Sequence, residues 1–341
     1  MTSLKRWLIG MMSTLLLIFI APVAQAGGMN FTVEPLFNEH QIAENQSHFE
    51  MKVEPNSSEK VSVQITNGSD KDKKFSLQIN NATTSKNGEI SYEKKLNVPD
   101  DSAQVDLQTI ATLPHELSLK AGESRIVDIS FEVPEQAFEG VLLGGLQVVE
   151  QNEATEQADE KISFKNKYSF IVPIVMYETD AQLKADVKLK KVFPTLTNAY
   201  PSLEVQLQNP VATTLPTKDV TVKITPKNKK EVLKEQQLKE VTFAPNSTWN
   251  NQLDWEKEEF KAGDYTAHIK IKSEYGDWKW DQDFTIAGTK AKELNKKAVG
   301  IKSENCSDPQ KLDFLQSRFF YSVFLRSETH LLSKLNWTLP A

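Results

Sequence analysis

The sequence predicts an all-β protein with two tandem immunoglobulin-like β-sandwiches, which follow a signal peptide and precede an irregular C-terminal tail. Short segments in which apolar and polar residues alternate run through most of the chain, as expected for strands with one buried face. Turns rich in Pro, Gly and Asn separate these segments, and segments with a helical period are almost absent. The length of 341 residues is sufficient for two domains with separate cores.

Residues 1–26 have the features of a secretory signal peptide. Lys5 and Arg6 form a positive n-region, an apolar stretch covers residues 7–20, and residues 24–26 (Ala-Gln-Ala) are small enough for a signal peptidase. The alternative is an uncleaved anchor, but the apolar stretch is shorter than the roughly 20 residues that a spanning helix needs. We therefore expect export, with cleavage after residue 26.

The first predicted sandwich covers residues 30–180. Its clearest strand is 61–65, where Val61, Val63 and Ile65 alternate with polar residues. Further segments of this kind are 31–33, 49–53, 75–79, 90–92, 126–133 and 168–177. The regular spacing of these short strands is typical of a sandwich.

Three dipeptides that contain glycine mark special backbone positions in the first predicted sandwich. Asn67-Gly68 and Asn87-Gly88 are sequences that favour tight hairpin turns, because Gly tolerates a positive φ. The nearly continuous apolar segment 140–149 is suited to a strand buried on both faces. Its Gly144-Gly145 pair indicates a bulge or a close approach of another segment, and no phosphate-loop pattern follows it.

The second predicted sandwich covers residues 181–288, about the size of an immunoglobulin-like domain. Its predicted strands are 183–192, 203–207, 220–224, 241–243, 265–271 and 277–286. Residues 289–341 are predicted to form a linker and an atypical tail. Residues 291–297 suggest a short helix or a Lys-rich linker, and the longest uncharged stretch beyond them, 319–325, is too short to cross a membrane.

Charge separates the two halves of the chain. Residues 27–180 contain 26 acidic and 13 basic residues, whereas residues 181–341 contain 20 acidic and 25 basic residues. This asymmetry favours two domains with different partners or neighbours, and the alternative is accidental drift in the charge of solvated faces. The formal net charge of -6 does not provide the basic surface of a nucleic-acid binder, so no nucleic-acid partner is expected.

Patterns that would indicate catalysis or metal binding are missing from the sequence. The five histidines, His40, His48, His115, His268 and His330, form no HExxH or HxH pattern, and no Gly-x-Ser-x-Gly segment is present. Cys306 is the only cysteine, which excludes an intramolecular disulfide and a cysteine-based zinc site. We expect no catalytic residues, no metal and no cofactor. An exported chain with one cysteine also fits a Gram-positive cell surface.

Trp278 and Trp280 are the candidate partner-binding residues. They are two positions apart in a predicted strand, so both side chains lie on the same face. Two neighbouring indoles can bind a sugar ring or the apolar edge of a protein partner. The alternative is that both fill the second core.

Several segments follow the order of a known family. They are Phe31-Thr-Val-Glu-Pro-Leu, Val53-Glu-Pro-Asn, Val61-Ser-Val-Gln-Ile-Thr-Asn-Gly-Ser, Ile79-Asn-Asn-Ala-Thr-Thr, Asn87-Gly-Glu-Ile-Ser-Tyr and the strand 140–149 with its double glycine. From about residue 30 to about residue 302, the chain resembles the WxL-interacting proteins of Gram-positive bacteria.

This resemblance implies an N-terminal peptidoglycan-binding domain and a C-terminal domain that binds host proteins. It also implies surface complexes with proteins that carry WxL domains, and it supplies no catalytic residue. Family members normally end in a membrane-spanning helix, and the charged segment 306–341 departs from that pattern. We therefore expect a chain that is exported to the cell surface or released, without the usual membrane anchor.

Two functions remain open at this point. The first is a non-enzymatic cell-surface adaptor that binds peptidoglycan and WxL-domain proteins, with host extracellular matrix proteins as further candidate partners. In such an adaptor, tandem domains raise avidity through effective concentration. The alternative is a chaperone-like sandwich protein that caps surface subunits by donating an edge strand.

Overall fold

A computed structural model describes residues 30–37, 48–93, 95–151, 168–179 and 181–301. The predicted signal peptide at 1–26 and the segment 306–341 lie outside these described residues. The elements of the first sandwich are β1 (Phe31–Leu36), β2 (Phe49–Lys52), β3 (Ser58–Asn67), β4 (Lys73–Asn81), β5 (Thr83–Thr84), β6 (Ile90–Ser91), α1 (Leu107–Ile110), β7 (Ala111–Thr112), β8 (Glu116–Leu119), β9 (Ser124–Glu132), β10 (Val141–Gln151) and β11 (Ser169–Tyr177).

Two sheets enclose the core of the first sandwich. One has the order β1-β3-β9-β7 and the other the order β2-β11-β10-β4-β8, and the small β5-β6 pair is separate from both. Neighbouring strands are antiparallel except for β2 and β11, which are parallel. Phe31 of one sheet meets Phe75 of the other with ring centroids 5.0 Å apart. Alternate residues of each strand therefore fill one apolar interior, as the period of two predicts.

The second sandwich follows after residue 187. Its elements are β12 (Lys188–Thr197), β13 (Tyr200–Asn209), β14 (Leu215–Pro216), β15 (Asp219–Pro226), β16 (Lys234–Leu238), β17 (Thr242–Phe243), β18 (Ser247–Asp254), β19 (Gly263–Lys272), β20 (Asp277–Ile286) and α2 (Gly288–Lys297). Its main sheets have the orders β12-β13-β18 and β16-β15-β19-β20. Trp249 is fully buried in the core between them and packs edge-on against Phe243, at 5.4 Å between ring centroids.

These sheets confirm the prediction of an all-β protein with two sandwiches. The buried residues form one cluster that ends with Met176 and a second that begins with Val187. The boundary predicted at residue 180 lies between the two clusters and stays a prediction. Helix α2, in the segment predicted as a linker, contributes Ala291 and Leu294 to the second cluster. No helix among the described residues is both long and apolar enough to span a lipid bilayer.

The two Asn-Gly sequences have different outcomes. Asn87-Gly88 forms the predicted tight turn, with Gly88 at a φ of 81° between the paired strands β5 and β6. The hairpin predicted at Asn67-Gly68 is wrong, because β3 and β4 lie in different sheets. Asn67 is instead fully buried, and its side-chain amide donates hydrogen bonds to the carbonyl oxygens of Lys71 (2.8 Å) and Lys120 (2.9 Å). It stabilises a crossing between sheets.

The structure confirms the close approach predicted at Gly144-Gly145. A Cβ atom on Gly144 would lie 2.5 Å from the carbonyl oxygen of Asn80, and one on Gly145 would lie 3.1 Å from Cβ of Tyr92. Strand β10 pairs in regular register with both neighbours here, so the pair forms no bulge. The glycines allow β4 to lie close beside the strand and the segment after β6 to pack tightly over it.

Candidate binding groove between the two sandwiches

The junction loop, residues 83–93 and 95–106 with the β5-β6 hairpin, extends from the first sandwich onto the second. The backbone amide of Thr242 donates to the carbonyl oxygen of Gly88 at 2.7 Å, and the amide of Ala244 donates to the Thr84 hydroxyl at 3.0 Å. The Thr84 hydroxyl also lies 3.1 Å from the Ser247 hydroxyl. These contacts attach the hairpin to β17, to Ala244 and to the first residue of β18.

The carboxylate of Asp100 adds hydrogen bonds between the junction loop and the second sandwich. Asp100 accepts hydrogen bonds from the side-chain amide of Gln208 at 2.6 Å and from the Thr248 hydroxyl at 2.7 Å. Its neighbour Asp101 forms a 2.8 Å ion pair with Lys190, which lowers the pKa of the Asp101 carboxyl. Gln208 points outward from β13, yet it is buried because the junction loop covers it. Hydrogen bonds to a charged acceptor are stronger than neutral ones, so this part of the junction holds the loop in place.

A second contact lies beside the junction loop. The amide of Val141 donates to the carbonyl oxygen of Ala212 at 2.7 Å. Gly140, at a φ of 80°, allows this approach, because a Cβ atom there would lie 2.7 Å from a Leu183 methyl group and would overlap the Ala212 carbonyl oxygen. Backbone hydrogen bonds therefore join the two sandwiches at Gly88 and at Val141.

The junction loop and the outer face of the β12-β13-β18 sheet enclose a groove of about 650 Å³. This volume is within the usual range for ligand sites, about 300–1,000 Å³. The residues that line the groove are Thr83, Thr84, Ser85, Lys86, Ser91, Glu93, Leu96, Val98, Pro99 and Asp100 from the first sandwich, and Glu204, Ser247, Thr248, Asn250 and Gln252 from the second. Both sandwiches thus contribute to one site.

The floor of the groove is a row of polar side chains on β13 and β18. Glu204 pairs with Gln252, and Gln206 pairs with Asn250, in the antiparallel register of the two strands. Directly opposed residues point to the same face, and here that face is the outer one. The side-chain oxygen of Asn250 is buried and has no hydrogen-bond partner among the described residues. Of these four side chains, Glu204, Asn250 and Gln252 line the groove, so its floor is polar.

The wall and rim of the groove add an apolar element and a negative charge. Val98 is 76% exposed and lies between the half-buried Leu96 and the groove residue Pro99. Among the lining residues that the structure describes, Lys86 is basic, and Glu93, Asp100 and Glu204 are acidic. A polyanion is repelled by this balance, whereas an uncharged polar ligand is not.

Trp278 and Trp280 lie on β20, outside the groove. They pair with Ile271 and Ile269, which are fully buried, so both indoles point to the inner face of their sheet. Both are half-buried and pack against the second core from β20, which is an edge strand of its sheet. Their role in partner binding stays a prediction.

A hydrogen-bonded chain that the sequence patterns did not reveal crosses the outer face of the other sheet. His268 Nδ1 lies 2.6 Å from an Asp281 carboxylate oxygen, and His268 Nε2 lies 3.2 Å from the Thr225 hydroxyl. The hydrogen bond from His268 lowers the pKa of the Asp281 carboxyl. A hydroxyl, an imidazole and a carboxylate are the groups that serve as nucleophile, base and orienting acid in nucleophilic catalysis. Thr225 is only 4% exposed, however, so its hydroxyl is not open to a substrate.

Metal ligands do not cluster among the described residues: no group of three or more His, Cys, Asp or Glu side chains is placed to hold an ion.

The fold and the groove define an all-β protein of two joined sandwiches with a shared polar site. Residues 31–150 match the family model "WxL Interacting Protein, peptidoglycan binding domain", and residues 159–296 match "WxL Interacting Protein, host binding domain". The chain therefore belongs to the WxL-interacting protein family, which confirms the resemblance seen in the sequence. It combines a peptidoglycan-binding and a host-binding domain, as expected for a cell-surface protein.

The second family match does not coincide with the second sandwich. It begins at residue 159 and so includes β11, which pairs with β10 and β2 in the first sandwich. It ends at residue 296 and includes most of helix α2. Strand β11 is thus part of the first sandwich in structure, although the host-binding model includes it.

Solved structures similar to this chain include fimbrial chaperones. The Pseudomonas aeruginosa CupB2 chaperone is 14% identical over 67% of this chain and 93% of its own, with a TM-score of 0.27. The CsuC-CsuE chaperone–subunit complex of Acinetobacter baumannii gives 12% identity over 64% of this chain and 88% of the matched chain, with a TM-score of 0.30. Scores this low carry no weight for the chaperone-like alternative. No curated protein matches the chain.

Proposed function

We propose that this protein is a non-enzymatic adaptor of the Gram-positive cell surface, exported through its signal peptide. Its first sandwich binds peptidoglycan, and its second sandwich binds protein partners, which include WxL-domain proteins and host extracellular matrix proteins. The observation that carries the proposal is the hydrogen-bonded junction between two domains that match different models, one peptidoglycan-binding and one host-binding. A fixed junction holds a protein partner at a set distance from the wall.

The charge difference between the two halves supports separate partners. The first half has a net excess of acidic residues and the second half a net excess of basic residues. Surfaces of opposite sign attract different molecules and suppress the wrong ones. One end of the molecule can therefore remain on the wall while the other captures a protein.

The geometry of the hydrogen-bonded residues Thr225, His268 and Asp281 supports a non-enzymatic role. A nucleophile must reach the atom that it attacks, and the Thr225 hydroxyl is buried on the face of a sheet. The contact instead links strands β15, β19 and β20 across their outer face. Removing it is expected to affect stability and not to remove an activity.

Co-sedimentation with purified peptidoglycan tests the wall-binding part of this proposal. We expect the chain to pellet with sacculi and to release no soluble wall fragments, and we expect His268→Ala to pellet equally. A chain that stays in the supernatant contradicts wall binding, and fragment release that His268→Ala abolishes contradicts the non-enzymatic role.

Capture from the native cell envelope tests the partner-binding part. The immobilised full chain is expected to retain WxL-domain proteins from a detergent extract, with the same yield after peptidoglycan digestion. Capture that disappears after digestion would show that the wall, and not this protein, joins the two.

A further inference from the structure

We propose that the groove between the two sandwiches binds a glycan strand of peptidoglycan, so that both domains contact the same polymer. The inference rests on the proposed function, because it requires the chain to bind peptidoglycan. It adds that the floor of the site belongs to the host-binding part of the chain, on β13 and β18. The second sandwich then adds to the wall binding of the first.

The first argument is the hydrogen-bonding chemistry of the floor. Glycan strands carry many hydroxyl and acetamido groups, which both donate and accept hydrogen bonds. On the floor, the amide nitrogens of Asn250 and Gln252 can donate hydrogen bonds, and the Thr248 hydroxyl, which itself donates to Asp100, can accept one.

The second argument is charge. Among the described residues, three carboxylates and one ammonium group line the groove, which disfavours phosphate-rich wall polymers and nucleic acids. The carboxylates of Glu93 and Glu204 can accept hydrogen bonds from sugar hydroxyls, because an ionised carboxylate has only acceptors. Of the polymers in a bacterial wall, the glycan strand fits this balance best.

The third argument is the apolar rim. Val98 is 76% exposed beside Leu96 and Pro99, at the edge of an otherwise polar site. The methyl of an acetamido group and the C–H face of a sugar ring are apolar, and burying them against such a rim is favourable. The rim therefore distinguishes an N-acetylated sugar from a plain one.

Two matched pairs of variants in the full chain test the assignment. Val98→Asp places a charge on the exposed rim, and Ile126→Asp places the same charge on an exposed position of β9 (58% exposed) that is outside the groove. Asn250→Ala removes a floor amide, and Gln282→Ala removes an exposed amide of β20. The probes are purified sacculi, chitotetraose as an uncharged N-acetylated glycan, cellotetraose as its counterpart without acetamido groups, and free stem peptide.

We expect Val98→Asp and Asn250→Ala each to weaken binding to sacculi and chitotetraose about tenfold, the effect of losing roughly 1.4 kcal/mol. Ile126→Asp and Gln282→Ala should stay near the wild type, and chitotetraose should bind more tightly than cellotetraose. Circular dichroism checks that each variant is folded, and Val98→Asp alters an exposed position with no core contact to lose.

The other results overturn the assignment in separable ways. If the wild type binds sacculi and the groove variants bind equally well, the groove is not the glycan site and the adaptor function stands. If free stem peptide binds and the groove variants abolish that binding, the occupant is a peptide and not a glycan. If the wild type does not bind sacculi at all, the proposed function itself fails.

Discussion

Replacing Gly140 by Ala tests the junction between the sandwiches most sharply, because Gly122 provides a matched control. Both glycines have a positive φ, 80° and 70°, so an alanine at either position has a similar backbone strain of roughly 1–2 kcal/mol. Their surroundings differ. A Cβ atom on Gly122 has nothing within 4 Å, whereas one on Gly140 overlaps the Ala212 carbonyl oxygen and lies 2.7 Å from Leu183.

The difference between the two variants gives the magnitude. In Gly140→Ala the second sandwich must move away, which breaks the 2.7 Å hydrogen bond between the Val141 amide and the Ala212 carbonyl. A lost hydrogen bond costs about 1 kcal/mol, and overpacking adds about 1–3 kcal/mol. The free energy of unfolding should therefore fall by about 2–4 kcal/mol more in Gly140→Ala than in Gly122→Ala.

Urea denaturation followed by two probes measures this difference. All tryptophans among the described residues, Trp249, Trp255, Trp278 and Trp280, belong to the second sandwich, so their fluorescence reports its unfolding. Far-ultraviolet circular dichroism reports both sandwiches. We expect coincident transitions in the wild type and in Gly122→Ala, and separated transitions in Gly140→Ala. Equal stability and coincident transitions in both variants would refute the argument.

Three further predictions follow from the same structure. Asp100→Ala removes one of the two carboxylates that accept from the buried amide of Gln208, together with the acceptor of the Thr248 hydroxyl, and should lower the free energy of unfolding by about 2 kcal/mol in chemical denaturation. Trp278→Ala removes a half-buried indole and should lower the thermal midpoint, and retention of envelope proteins on the immobilised variant measures its predicted binding role. His268 lowers the pKa of Asp281 in the folded protein. The stabilisation that the ionised carboxyl of Asp281 provides is therefore present above its ordinary pKa of 3.8, and it is lost as pH falls through the folded pKa. Asp281→Asn should therefore flatten the loss of stability in acid.

Local sequence patterns predicted the strands well because half-buried strands repeat with a period of two. The same patterns could not assign Asn67-Gly68, since a turn between two strands of one sheet and a crossing between two sheets use the same residues. The fully buried position of Asn67 depends on Lys120, 53 residues away. A tight turn was predictable at Asn87-Gly88, because both of its strands are adjacent in the chain.

The groove could not be predicted, because it depends on contacts between distant residues. Asp100 and Thr248 are 148 positions apart, and neither belongs to a recognisable motif. The chain through Thr225, His268 and Asp281 likewise requires the register of three neighbouring strands. The strand period predicted that Trp278 and Trp280 share one face of their strand. Whether that face points toward the core depends on which sheet β20 joins.

Amide hydrogen exchange in the intact chain tests most directly whether the two sandwiches form one binding unit. The amides of Val141 and Thr242 donate the backbone hydrogen bonds that cross the junction. We predict that both exchange as slowly as core amides of β10 and β18, because their bonds open only when the sandwiches separate. Exchange at the rate of exposed loop amides would show that the sandwiches move independently, and it would contradict a shared groove.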